Sequence, residues 1–165
     1  MRQTDYGYNQ PLGIPGGIFD LSSKIIVTRT VDPGTEIKAG MGLVVGATAG
    51  ETVKKAATGA AAETFEGVFV HGSKQMEHKI NGTVSADDGS VIGLMQKGRI
   101  WVLIASTATT TYGKGVALIL AGDHAGMFTS ADDSNEASKV ALTNAVFLGG
   151  EKTDKDNGIA VVELK

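Results

Sequence analysis

HKINGTVSADDGSVIGLMQKGRIWVLIAS, residues 78–106, sets three two-residue turn signals between apolar stretches: Asn81-Gly82, Asp88-Gly89 and Lys97-Gly98. Asn-Gly and Asp-Gly supply the positive φ angles that tight hairpins demand. The segment therefore reads as apolar strands joined by turns, with Lys97-Gly98 turning the chain into an aromatic strand over Arg99–Ala105.

The same punctuation extends in both directions. KIIVTRTV (Lys24–Val31) is a β-branched run closed by Pro33-Gly34. GTEIKAGMGLVV gives a polar turn at Lys38–Gly42 and then a strand, Leu43–Val45. ETVKKAA reads as a further strand. ATGAAAET is Ala-rich, yet Gly59 and the flanking threonines argue for a loop. Phe65–Gly72, GKGVALILAG and GMFTSA follow as strands, and ALTNAVFLGG and GIAVVELK bracket EKTDKDN, a charged hairpin tip. Only DDSNEASKVALTNAV carries a helix signal, within residues 133–145 and with Asp133 or Ser134 as N-cap; the strand spacing around it opposes that reading. The chain has 23 Gly and only 3 Pro. Strands at roughly ten-residue spacing with Gly turns predict an all-β sandwich or barrel.

At 165 residues and 17.0 kDa, one domain is expected, burying roughly 70% of its unfolded surface without metal or disulfide. There is no Cys, which removes disulfides, thiolate metal sites and Cys nucleophiles. Fifteen basic residues against 18 acidic give a net charge of −3 with no polybasic run, so a nucleic-acid partner is not expected. Apolar runs such as Val116–Ala121 are too short to span a bilayer, and no signal-peptide core follows Arg2. The chain reads as soluble, with no membrane partner.

Catalytic patterns are missing. His71, Glu77 and His78 suggest a metal site, but the spacing of the two histidines fits neither one helix face nor one strand face, and surface or loop histidines are the better reading. Asp87-Asp88 and Asp132-Asp133 lack the ligand spacing of a calcium loop, and Asp-Gly suits a turn. GMGLVVG places its third glycine one position late for a dinucleotide fingerprint, with no helix behind it. No G-x-S-x-G occurs. Lys97, Arg99 and Trp101 alternate as a nucleic-acid platform would, yet three residues are too few. Trp101 reads instead as a core or interface anchor. We expect no enzyme, catalytic residue, metal, cofactor or small-molecule substrate.

The opening MRQTDYGYNQPLGIPGGIFDLSS, residues 1–23, has little apolar periodicity, yet it holds two of the three Pro and two of the three Tyr. It reads as an extended N-terminal arm ahead of a single β domain, residues 24–165. The bland alternative is a plain disordered terminus.

Taken together, this Gly/Pro arm, GTEIKAGMGLVV, FEGVFVHG, DGSVIGLMQKGRIWVLI and the pair AVFLGG and GIAVVELK resemble the small capsid decoration or cement proteins of tailed bacteriophages. The resemblance implies a tulip-like or jelly-roll β fold and a non-catalytic virion protein. Such a protein binds the major capsid protein of the assembled shell on its outer surface, and is soluble in the host cytoplasm before assembly. It also implies self-association, with a homotrimer expected and a dimer as alternative. In that frame Tyr6, Tyr8, Leu12, Ile14, Ile18 and Phe19 are apolar contacts on the arm, shaped by Pro11 and Pro15, and the arm can pair with a neighbour's sheet edge. The competing readings are another virion module (tail, baseplate or head fibre) and a cellular β-barrel ligand-binding module.

Overall fold

A computed structural model describes residues 13–34, 36–72, 76–78, 84–105, 108–136, 138–151 and 157–165. The strands are β1 (Ile25–Val31), β2 (Ile37–Lys38), β3 (Gly42–Val45), β4 (Thr52–Lys55), β5 (Phe65–Phe69) and β6 (Met76–His78). They continue with β7 (Val84–Ala86), β8 (Val91–Ala105), β9 (Gly115–Ile119), β10 (Phe128–Ser130), β11 (Lys139–Glu151) and β12 (Asn157–Leu164). The fold is all-β. Among the described residues, helical structure is limited to one 3₁₀ turn, Ala62–Thr64, inside the Ala-rich segment expected as a loop.

Five strands close a mixed barrel in the order β1-β4-β3-β5-β8, with β8 returning to β1. The β1–β4 contact is parallel and the others are antiparallel. Outside it, β10, β9, β11 and β12 make a second circuit that also begins and ends on β8. A small sheet, β2-β7-β6, is not hydrogen-bonded into either circuit, but its Ile37 and Ala86 pack into the core with Leu43, Phe69 and Leu94.

β8 is one strand of 15 residues, not two strands joined at Lys97-Gly98 as the sequence suggests. Its first half pairs with β1 and β5; from Gly98 onward it pairs with β12. Gly98 keeps the positive φ (+124°) that made it look like a turn residue, but holds it inside a continuous strand, two residues past the bulge that leaves Gln96 without a β1 partner between Met95 (opposite Ile26) and Lys97 (opposite Ile25). A hairpin there would fold the two halves against each other. The two halves bond instead to strands distant in sequence. The expected Asp88-Gly89 turn does precede β8, whereas Asn81-Gly82 and most of the charged tip EKTDKDN lie outside the described residues.

Two cores share the barrel wall. Leu43, Phe69 and Leu94 belong to one cluster with Val31, Val53 and Ile92. Their chain neighbours Val44, Val68 and Met95 belong to the other, with Ile104, Leu118, Phe128, Phe147 and Val162. Successive strand residues point to opposite faces, so a wall buried on both sides requires continuous apolar runs. That is why LVV and VFV show no polar alternation.

The helix signal within 133–145 is overridden: Lys139–Glu151 is a strand, antiparallel to both β9 and β12. Leu142 and Phe147 are buried there in the second core, while Ala141, Thr143 and Asn144 are exposed. Across β1, β5 and β8, Arg29 donates to Glu66 Oε1 from Nε (2.9 Å) and Nη2 (2.6 Å), and Gln96 donates to the same oxygen (3.2 Å).

Candidate functional site: the strap on β8

Residues 13–19 form a strap along β8. Gly16 N–H donates to Trp101 O (2.7 Å), Trp101 N–H to Gly17 O (2.9 Å), and Phe19 N–H to Arg99 O (3.0 Å). Ile18 and Ile100 form an antiparallel bridge. His71 N–H donates to Gly16 O (2.8 Å), which ties the strap to the end of β5 as well. In the described part of the arm, the backbone partner is therefore this chain's own β8.

The glycine-rich spelling GIPGG follows from this fit. Gly13 lies against the Trp101 ring, where a Cβ would come within 2.4 Å of three ring atoms. Gly16 has φ +75°, and a Cβ there would stand 2.7 Å from both His71 N and Phe69 O. Phe19 meets Trp101 edge-to-face, with centroids 5.8 Å apart and planes at 65°, a geometry worth about 0.5–1.5 kcal/mol beyond area burial.

Trp101 is only 8% exposed although it points away from the second core, clustered with Ile159 and Val161 of β12 and with Leu103 and Leu148.

At its far end the strap is held by charge. Arg99 donates to Glu163 (2.9 Å) and to Asp20 (3.0 Å). The Ser22 hydroxyl and then the Ser22 N–H hold the Asp20 carboxyl below its ordinary value; desolvation opposes them, and Arg99 adds to the lowering. Glu163 and then Asp20 raise Arg99. Arg99 is thus paired and Trp101 covered, so Lys97, Arg99 and Trp101 form no open basic and aromatic face.

The outward side of this region is apolar. Of eight exposed large hydrophobic side chains among the described residues, six fall between residues 14 and 26: Ile14, Ile18, Phe19, Leu21, Ile25 and Ile26. The other two lie elsewhere: Tyr112, and Val91, which pairs opposite Thr30 at the far end of β1.

The structure brings together Ile14, Ile18, Phe19 and Trp101 and sets Pro15 against Gly40; Tyr6, Tyr8, Pro11 and Leu12 lie outside the described residues. Sequence reasoning missed Leu21, Ile25, Ile26 and Val91. A signal for the isoleucines existed, because adjacent strand residues cannot both face one core. Here the bulge turns both outward.

No group of three or more His, Asp or Glu is placed to hold a metal among the described residues. The side chains of Glu77 and His78 lie outside them. His124 pairs with Glu136 (2.9 Å).

Over residues 1–165 the chain matches the family described as structural cement protein (E217 gp24/Pam3 gp6). It belongs to the phage structural cement protein family. This cement protein is accordingly a non-catalytic structural component of a phage capsid. Its fold is similar to that of a chain in "The capsid of Myoviridae Phage XM1", with a TM-score of 0.73 over 96% of this chain and 93% of that chain. Identity is 16%, so this likeness shows the fold alone. No curated protein matches the cement protein.

Proposed function

We propose that the cement protein grips the assembled shell through the outward side of residues 14–26, with the major capsid protein as the partner surface. The observation that carries this reading is the gathering of six exposed apolar side chains in one short stretch. Contiguous exposed apolar surface on a soluble domain marks an interaction site. In this reading residues 1–23 are an arm that binds together with Ile25 and Ile26, the first residues of β1, and residues 24–165 are the single β domain that carries it on the outside of the shell, after a soluble stage in the host cytoplasm. Anything that binds only the assembled state stabilises it by linkage.

Several weak contacts add through effective concentration, and closed symmetric assemblies are the common form of self-association. We therefore take the bound unit to be a homotrimer, with a dimer as the alternative.

Co-sedimentation with expanded empty shells tests the grip. Ile14→Ser, Leu21→Ser and Ile26→Ser combined should leave the fold intact and abolish co-sedimentation. Full retention by a folded triple variant would refute the reading. Cryo-EM of decorated particles tests the assembly state, and isolated copies with no mutual contact would exclude the trimer and the dimer alike.

A further inference from the structure

Around Gly98, three lysines are brought into one neighbourhood by the strand register. A Cβ on Gly98 would stand 2.9 Å from Lys24 Cβ, so Lys24 sits directly against Gly98. Lys97 pairs opposite Ile25, and Leu164, paired opposite Gly98, brings in Lys165 as the next residue. All three lysines are exposed, and none makes an ion pair with a described residue. The nearby acids Asp20 and Glu163 are both taken by Arg99. Leu21, 95% exposed, and Ile25, half exposed, belong to the same end of the molecule. Ser22 and Ser23 line a shallow depression there together with Lys97, Arg99, Lys165 and the Arg99-paired Glu163.

We infer that this end is an electrostatic docking surface, and that its partner is an acidic patch on the major capsid protein, with carboxylates surrounding an apolar contact for Leu21 and Ile25. The inference rests on the proposal that residues 14–26 face the shell, and adds which chemistry the shell presents to them. The chain as a whole carries a net charge of −3. A cluster of unpaired lysines at one end therefore stands out against its own molecule. Such a cluster repels itself until opposite charge is brought to it. A complementary acidic surface removes that repulsion, orients the protein on approach and rejects wrongly turned encounters. The lysines are exposed, so the attraction is screened by salt.

Binding of the full chain to expanded shells at low and high salt tests this, comparing wild type with K24E/K97E/K165E and with K24R/K97R/K165R. The inference expects wild-type affinity to fall as salt rises. Charge reversal should weaken low-salt binding roughly tenfold or more and remove the salt dependence, while the arginine set behaves as wild type. Reversal that changes neither affinity nor salt dependence overturns the inference while leaving the apolar grip standing. Wild type that fails to bind shells at either salt overturns both. Circular dichroism of each variant checks that only exposed charge has changed.

Discussion

A Cβ placed on Gly13 would stand 2.2 Å from Cε2 of the Trp101 indole, so the backbone of one residue lies flat against the ring of the other. This contact sets the entry of the strap onto β8. Gly13→Ala must push the indole or lift the strap, and overpacking of this kind costs about 1–3 kcal/mol. We expect a lower unfolding midpoint and faster proteolysis within residues 13–19, with the strand signal in circular dichroism unchanged.

Trp101 is the single tryptophan, so its emission reports on this one site, where the strap covers the ring. Deleting residues 1–19 removes Gly13 and Phe19 from the ring and the hydrogen bonds to Trp101 N and O. The β domain should remain folded, with red-shifted emission and a lower midpoint. Trp101→Ala should lower the midpoint further, because truncating a buried aromatic costs about 3–5 kcal/mol. Unshifted emission after the deletion would mean that the strap does not cover the ring in solution.

Gly98 joins the two halves of β8 at φ +124°, with Lys24 against its open side. Gly98→Ala should destabilise the protein by about 1–3 kcal/mol, the usual cost of forcing a side chain into such a backbone region. Gly93→Ala, in the same strand, meets nothing closer than 3.5 Å and serves as the control. Chemical denaturation of the two variants measures the difference.

The Arg29–Glu66 pair is mostly buried, with each side chain 16% exposed. Arg29→Met leaves the carboxylate with Gln96 alone and should cost about 2 kcal/mol, in the range for a hydrogen bond to a charged group. Arg29→Met combined with Glu66→Gln should recover part of that loss, and a double-mutant cycle on the denaturation midpoints reads the coupling.

Asp132 is held at a pKa of about 2, chiefly by the Ser130 hydroxyl and then by Lys114. The folded value lies below the ordinary 3.8, so its contribution is present above that pH and is lost as pH falls through about 2. Lys114→Met should move the carboxyl titration seen by NMR upward. Ser130→Ala should move it further, since the hydroxyl is the larger cause.

The sequence by itself determined the all-β class, most strand positions and the absence of a catalytic pattern, because these depend on local chemistry. β-branched runs, glycine turns and missing motifs are visible one window at a time, and KIIVTRTV and GIAVVELK became β1 and β12. Only the tertiary structure decided what Lys97-Gly98 does. A glycine with a positive φ serves in a hairpin turn or within a continuous strand, and the choice fell to β1, β5 and β12, which bond to the two halves of β8 from distant parts of the chain. It decided residues 139–145 in the same way, where pairing with β9 and β12 outweighed helical propensity. It also decided the meaning of GIPGG. In one dimension those glycines look like a chain with nothing to pack. In three dimensions Gly13 and Gly16 are the residues that let a backbone lie against Trp101 and the end of β5. A close approach is a property of two surfaces, and only one of them is written in the stretch that makes it.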